Sequence, residues 1–142
     1  MHTNQESKFA LASRLGVVFL AAFLLNALYE HLHAPLYAHY QGGVISEAVL
    51  LHATLADALI ISALVLPFLY SARFARAAWL IIPLGIFIAV DIEWWALGTA
   101  RWAYGPLMPV IPFLGTGLTP TIQLGLLGYL SYLLATKVVR SR

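Results

Sequence analysis

The sequence predicts an all-α fold. It reads as a polytopic membrane protein whose four transmembrane helices form one bundle, a single membrane domain over residues 1–142 with both termini cytoplasmic. Three observations lead there. The chain is 61% hydrophobic and only 10% charged, whereas a soluble domain carries about 25% charged residues to meet water. Four stretches are long enough to cross a hydrocarbon core, which takes roughly 20 apolar residues as a helix. The basic residues fall almost entirely at one end of such a bundle.

The first span covers residues 9–29. It has the basic lead-in and apolar core of a signal peptide, but no small-x-small cleavage site follows and Glu30-His31-Leu32-His33 comes at once, so it reads as a retained signal anchor. A Gln41-Gly42-Gly43 turn leads to the second span, residues 45–70, with Pro67 near its end. The third span covers residues 77–97, with Pro83 in its first turns, and the fourth covers residues 118–139. Either proline can kink its helix where neighbours satisfy the freed backbone groups. Lys8, Arg14, Arg73, Arg76, Lys137, Arg140 and Arg142 then share one side, and only Arg101 lies on the other. The positive-inside rule places that basic side in the cytoplasm of a cell inner (plasma) membrane. A three- or five-span arrangement would mix the charges.

Composition also excludes function classes. A net charge of +2 with scattered Lys and Arg does not suit nucleic acid. The lack of cysteine rules out disulfides, thiolate metal sites and a cysteine nucleophile. No serine-hydrolase elbow, phosphate loop or dinucleotide fingerprint is present.

The acidic residues follow a different logic from the basic ones. Apart from Glu6 they are Glu30, Glu47, Asp57, Asp91 and Glu93, and with His52, Thr119, Thr121 and Gln123 they converge on the outer half of the bundle. Ionisable groups at such depth face the interior or a wet cavity and point to function. Asn26, Glu30 and His33, spaced i, i+4, i+7, share one stripe if the first helix continues to His33. His52 and Asp57 lie about 140° apart on the second helix. Asp91 and Glu93 point nearly opposite ways, so only one of them can face a common cavity, while the other meets Arg101 or water. The connection of residues 98–117 carries Pro106, Pro109 and Pro112 between apolar pairs. That period of three suits a polyproline-like segment lying on the outer interface and covering the polar cluster.

Several blocks together resemble the signature of an uncharacterised family of small bacterial polytopic membrane proteins. They are Asn26, Tyr29-Glu30, His33 and Pro35-Leu36-Tyr37; His52 with Asp57; Glu93-Trp94, Ala96, Gly98, Arg101-Trp102 and Tyr104; Met108-Pro109; and Gly117-Leu118, Pro120 and Gln123. The resemblance spans nearly the whole chain. It implies the four-helix fold and a set of positions but no reaction. The family pattern has Trp and Gln where this chain has Tyr29 and His33, which counts against His33 as an obligatory ligand. Asp91 is not part of the pattern, which favours Glu93 as the functional acid of the third helix.

Four readings of the polar cluster follow. Glu30-x-x-His33, completed by His52 and Asp57 with Glu93 beside them, has the nitrogen and oxygen donors of a divalent metal site for zinc, iron or manganese. Without metal, Glu30, His52, Asp57, Glu93 and Arg101 could form the catalytic set of an enzyme acting on a membrane lipid or isoprenoid. His52 and Asp57 would then be its acid–base pair, and Glu93 and Arg101 would place an anionic headgroup. The plain alternative is that the same residues tie helices together without activity. Transport of protons or small solutes would call for a homodimer, with Thr121, Gly125 and Gly128 as a small-residue interface. A lipid site predicts a cavity open sideways between helices and lined by Glu30, His52, Asp57 and Glu93. A solid interior would favour the structural role.

Overall fold

A computed structural model of the chain describes residues 2–139, with side chains from Lys8 onward. Arg140 and Arg142, which the charge argument used, lie outside the described residues, as does the side chain of Glu6. Helix α1 (His2–His33) leads through a 3₁₀ turn (Ala34–Leu36) to strand β1 (Tyr37–Tyr40). Helix α2 (Glu47–Tyr70) is followed by a single turn, α3 (Ala72–Ala75), and by a 3₁₀ turn (Ala78–Leu80) that enters α4 (Ile81–Gly98). Strand β2 (Trp102–Tyr104) and helix α5 (Leu118–Val138) complete the chain. Among the described residues, four segments are long and apolar enough to cross a membrane: Lys8–Leu36, Glu47–Tyr70, Ala78–Gly98 and Leu118–Val138.

Local chemistry accounts for the helix limits. Pro35 disfavours helical geometry in the residue before it, and α1 stops at His33. Ser46 caps α2, its hydroxyl accepting from the Val49 N–H at 3.4 Å, and Glu47 sits in the first turn, where the helix dipole favours a negative charge. Pro67 lies inside α2 without ending it. Pro83 occupies the first turn of α4, where a missing N–H leaves no bond unmade.

Packing separates a lipid-facing surface from a core. Leu20, Leu24, Leu28 and Leu32 recur every fourth residue along α1 and all remain exposed, an apolar stripe that only a bilayer would cover. Val18, Ile61, Val65 and Ile81 are fully buried. Helices α4 and α5 meet backbone to backbone. A Cβ added at Gly125 would stand 2.3 Å from the Ile82 carbonyl oxygen, and one at Gly85 would stand 2.4 Å from the Gly125 Cα. Thr121, Gly125 and Gly128, expected as a dimer face, are therefore consumed inside the bundle, since only residues this small let the two helices approach so closely. Helix α1 packs along both α2 and α5, whereas α2 and α4 touch only sparsely.

The connections differ from expectation. Strands β1 and β2 pair antiparallel, with Tyr37 opposite Tyr104 and Tyr40 opposite Trp102, and form a ribbon across the polar end of the bundle. The proline-rich connection is not a polyproline helix. A polyproline helix makes no internal hydrogen bonds, and here the chain satisfies its backbone by folding back. Val110 bridges Gly117, the Ile111 N–H donates to the Thr116 carbonyl at 2.8 Å, and Gly115 (φ +69°) permits the reversal. Leu107 and the fully exposed Phe113 project outward from it.

Candidate functional site

Because α2 and α4 diverge, a cavity of about 600 Å³ opens between them at the polar end. Val49, His52, Ala53, Ala56, Asp57 and Ile60 line it from α2, and Ala89, Ile92, Glu93 and Trp95 line it from α4. Glu30, Gln123 and Leu124 close its back wall, and the ribbon residues Tyr37, Tyr40 and Trp102 with Arg101 bound its top. Ala56, His52 and Trp95 are exposed at its edge, so the cavity is a slot facing the lipid side of the bundle.

Two polar clusters, each centred on a buried residue, adjoin the slot. The first is centred on Gln123 in α5. Its amide nitrogen lies 2.9 Å from Asn26 Oδ1, 2.8 Å from Glu30 Oε1 and 2.8 Å from Asp57 Oδ2, and so ties α5 to α1 and α2. Asn26 is oriented for this by its own amide, which donates to the Ala22 carbonyl at 2.7 Å. Glu30 Oε1 and Asp57 Oδ2 are thus both bound to the one amide nitrogen. One primary amide has two N–H groups for three acceptors.

The second cluster surrounds Glu93, which is only 4% exposed. Its carboxyl accepts from Tyr37 Oη at 3.4 Å, from Trp102 Nε1 at 3.4 Å and from Tyr104 Oη. Tyr104 in turn accepts from the Gly117 N–H at 2.7 Å. Burial holds the Tyr37 phenol well above its ordinary range, and the neighbouring Glu93 carboxylate pushes it in the same direction. Burial, with the hydrogen bond to Glu93, also raises Tyr104. Both phenols therefore stay protonated as donors through neutral pH. Glu93 fastens the ribbon to α4.

Above these clusters, Arg101 carries the guanidinium at the slot's mouth. Its carbon lies 4.8 Å from the centre of the Trp95 ring, and Nη2 donates to Tyr40 Oη at 3.4 Å. His52 stands at the rim, its Nδ1 2.7 Å from the Ala48 carbonyl of its own helix. It forms no pair with Asp57, because the angle between them on α2 turns Asp57 inward to Gln123.

The expected residues thus sort into groups. Glu30, His52, Asp57, Glu93 and Arg101 all line the one slot. The metal set Glu30, His33, His52 and Asp57 is not assembled. His33 turns to the Thr119 hydroxyl and packs edge-on against Tyr37, and among the described residues no three His, Asp or Glu side chains gather as a metal site. Asn26, Glu30 and His33 do share one stripe, all three facing α5. Of the two acids on α4, Glu93 faces inward and Asp91 is exposed. Neither meets Arg101, since the one ion pair among the described residues joins His31 to Glu47 at 2.9 Å. Two features escaped the sequence reading: Gln123 as the hub, and Tyr37 and Tyr104 as partners of Glu93. Aromatic residues in both connecting segments were the signal for the second.

With these helices the chain is a multi-pass integral membrane protein. No protein-family model, curated protein or solved structure gives a significant match to it.

Proposed function

We propose that the protein is a membrane-embedded enzyme that admits a lipid or isoprenoid substrate sideways into the slot between α2 and α4 and transfers protons at Glu30 and Asp57. One observation carries this reading: two carboxyl groups, held by a single shared amide, stand on the wall of a largely apolar slot that faces lipid. The volume, about 600 Å³, falls in the range of small-molecule sites. In such a pair the protonated carboxyl gives its proton to one substrate atom while the ionised one takes a proton from another, which is general acid–base catalysis. Gln123 positions both groups. Glu93, saturated by three donors, is a positioning residue for the ribbon rather than a proton carrier.

The basic residues Lys8, Arg14, Arg73, Arg76 and Lys137 support an inner-membrane setting with both termini cytoplasmic and the slot opening toward the outer leaflet. The motif blocks support kinship with the small bacterial membrane proteins they resemble. Transport is not our reading. The slot ends at Ile60, Ala89 and Leu124, and the core beyond is Val18, Ile61, Val65 and Ile81.

The test compares lipids bound to, and altered by, the full-length protein with those of Ala56→Trp, a substitution at the slot's edge that leaves the Gln123 cluster untouched. Mass spectrometry of membranes and of purified protein should show one lipid class enriched and converted by the wild type, with both effects lost in the variant. Equal lipid profiles would overturn the proposal.

A second reading has its own observation. The Gln123 bonds join three helices, and interhelical hydrogen bonds in bilayers average about 0.6 kcal/mol. Under that reading Glu30→Gln and Asp57→Asn lower the melting temperature and change no lipid.

A further inference from the structure

The geometry points to Arg101, with Tyr40 and Trp95, as an anion-binding subsite at the slot's mouth, so that the substrate is an amphiphilic acid: a hydrocarbon chain ending in a carboxylate or phosphate. This rests on the slot being a lipid site and names what enters it.

Arg101 is the sole Lys or Arg between the end of α4 and the start of α5. It is half-buried, and among the described residues it forms no ion pair although three carboxyl groups line the same slot. Glu93 is taken by Tyr37, Trp102 and Tyr104, and Asp57 and Glu30 by Gln123. A guanidinium offers five N–H donors, and among the described residues its one side-chain bond is the long one to Tyr40. The Trp95 face supports the planar cation but supplies no counter-charge. A cation withdrawn from water without a partner is costly, and an incoming anion removes that cost.

The backbone points the same way. Among the described residues two non-glycine positions adopt positive φ, Gln41 at 49° and Ala100 at 54°. Both hold Arg101. Ala100 reverses the chain at the end of α4 so that the Arg101 N–H donates to the Ala96 carbonyl at 2.8 Å, and the Gln41 N–H donates to the Arg101 carbonyl at 2.6 Å. Strain of this kind persists where the surroundings enforce it, and it gathers at binding sites. Below the mouth the wall runs from Val49 to Ile60 on α2, about 16 Å at the axial rise of a helix. A chain anchored by its acid at Arg101 therefore passes Glu30 and Asp57 with its hydrocarbon portion, and the proton transfer falls on the chain rather than on the headgroup.

The experiment measures equilibrium binding of tritiated oleate, oleyl alcohol, farnesyl phosphate and farnesol to the full-length protein in nanodiscs. The wild type should bind at least one acid about tenfold more tightly than its own alcohol, the scale of a charge-assisted hydrogen-bonded contact. The acid with the larger ratio identifies the headgroup as carboxylate or phosphate. Arg101→Gln should bring that ratio to near one, and Arg101→Lys should retain part of it. Equal binding of acid and alcohol by the wild type overturns this inference while leaving the lipid slot standing, and that arm needs no variant to fold. Failure of all four probes to bind overturns the slot reading as well.

Discussion

Buried Glu93 and the half-buried Glu30–Asp57 pair are carboxyl groups lining the same slot, but they are supplied with hydrogen bonds in opposite ways. Three aromatic side chains donate to the one carboxyl of Glu93. A single amide is divided between the two carboxyls of the pair and Asn26 as well. A fully satisfied buried group rigidifies its surroundings, and an undersupplied one retains the capacity to exchange a proton with something else. Ionisable residues inside a membrane are thus not equivalent, and counting donors separates the fastener from the reactive pair.

The largest expected effect breaks the comparison in two. Glu30→Gln and Asp57→Asn should each lower lipid turnover by about 10² or more, the scale of a lost general acid or base, with little change in melting temperature. Glu93→Ala should do the reverse. Stripping three half-buried donors of their acceptor costs about 3 kcal/mol of stability and loosens the ribbon, read as a fall in melting temperature and in near-ultraviolet dichroism. If all three variants lose stability alike, the distinction fails.

A smaller effect sharpens the Glu93 side. Tyr104→Phe removes one donor and should cost about 1 kcal/mol. The pH dependence has a definite sign. Tyr37 and Tyr104 hold their protons more tightly in the folded protein than when unfolded, so their contribution is intact below about pH 10, the unfolded value for tyrosine. It is lost as pH rises above that value. Phenolate absorbance titrated upward should show a late phase that coincides with ribbon loss and shrinks in Tyr37→Phe and Tyr104→Phe.

The smallest effect concerns the strained joint beside Arg101. Ala100→Gly relieves a left-handed conformation and should stabilise the protein by about 0.5–1 kcal/mol. Acid-over-alcohol selectivity should fall slightly as Arg101 gains freedom. A melting temperature at or below the wild type would show that the joint is unstrained.

Much of this was legible in the sequence. Hydropathy located all four spanning helices because the lipid-facing stripe and the core are both apolar, and a continuous greasy run is then unambiguous. Helical spacing placed Asn26, Glu30 and His33 on one face, and that face meets α5. What spacing could not supply was the identity of the partner across the helix boundary. His33 met Thr119 instead of a metal set, and Asp57 met Gln123 instead of His52, because each choice depends on how α5 is rotated against α1 and α2. The ribbon was missed for a different reason. Its two strands are three and four residues long and far apart in the chain, too short for alternation to register. The small residues of α5 carried a correct signal for close approach but not which helix approaches, and it is the neighbouring α4.

That close approach has a mechanical consequence. Where Gly85 and Gly125 touch, α4 has a fulcrum against α5, and Glu93 lies eight residues beyond it, a lever arm of about 12 Å. A tilt of about 5° at that point moves Glu93 by about 1 Å over such an arm. The ribbon travels with it, since Glu93 is its fastening. The width of the slot is therefore set from two turns away, by the pair of glycines that keeps the pivot thin.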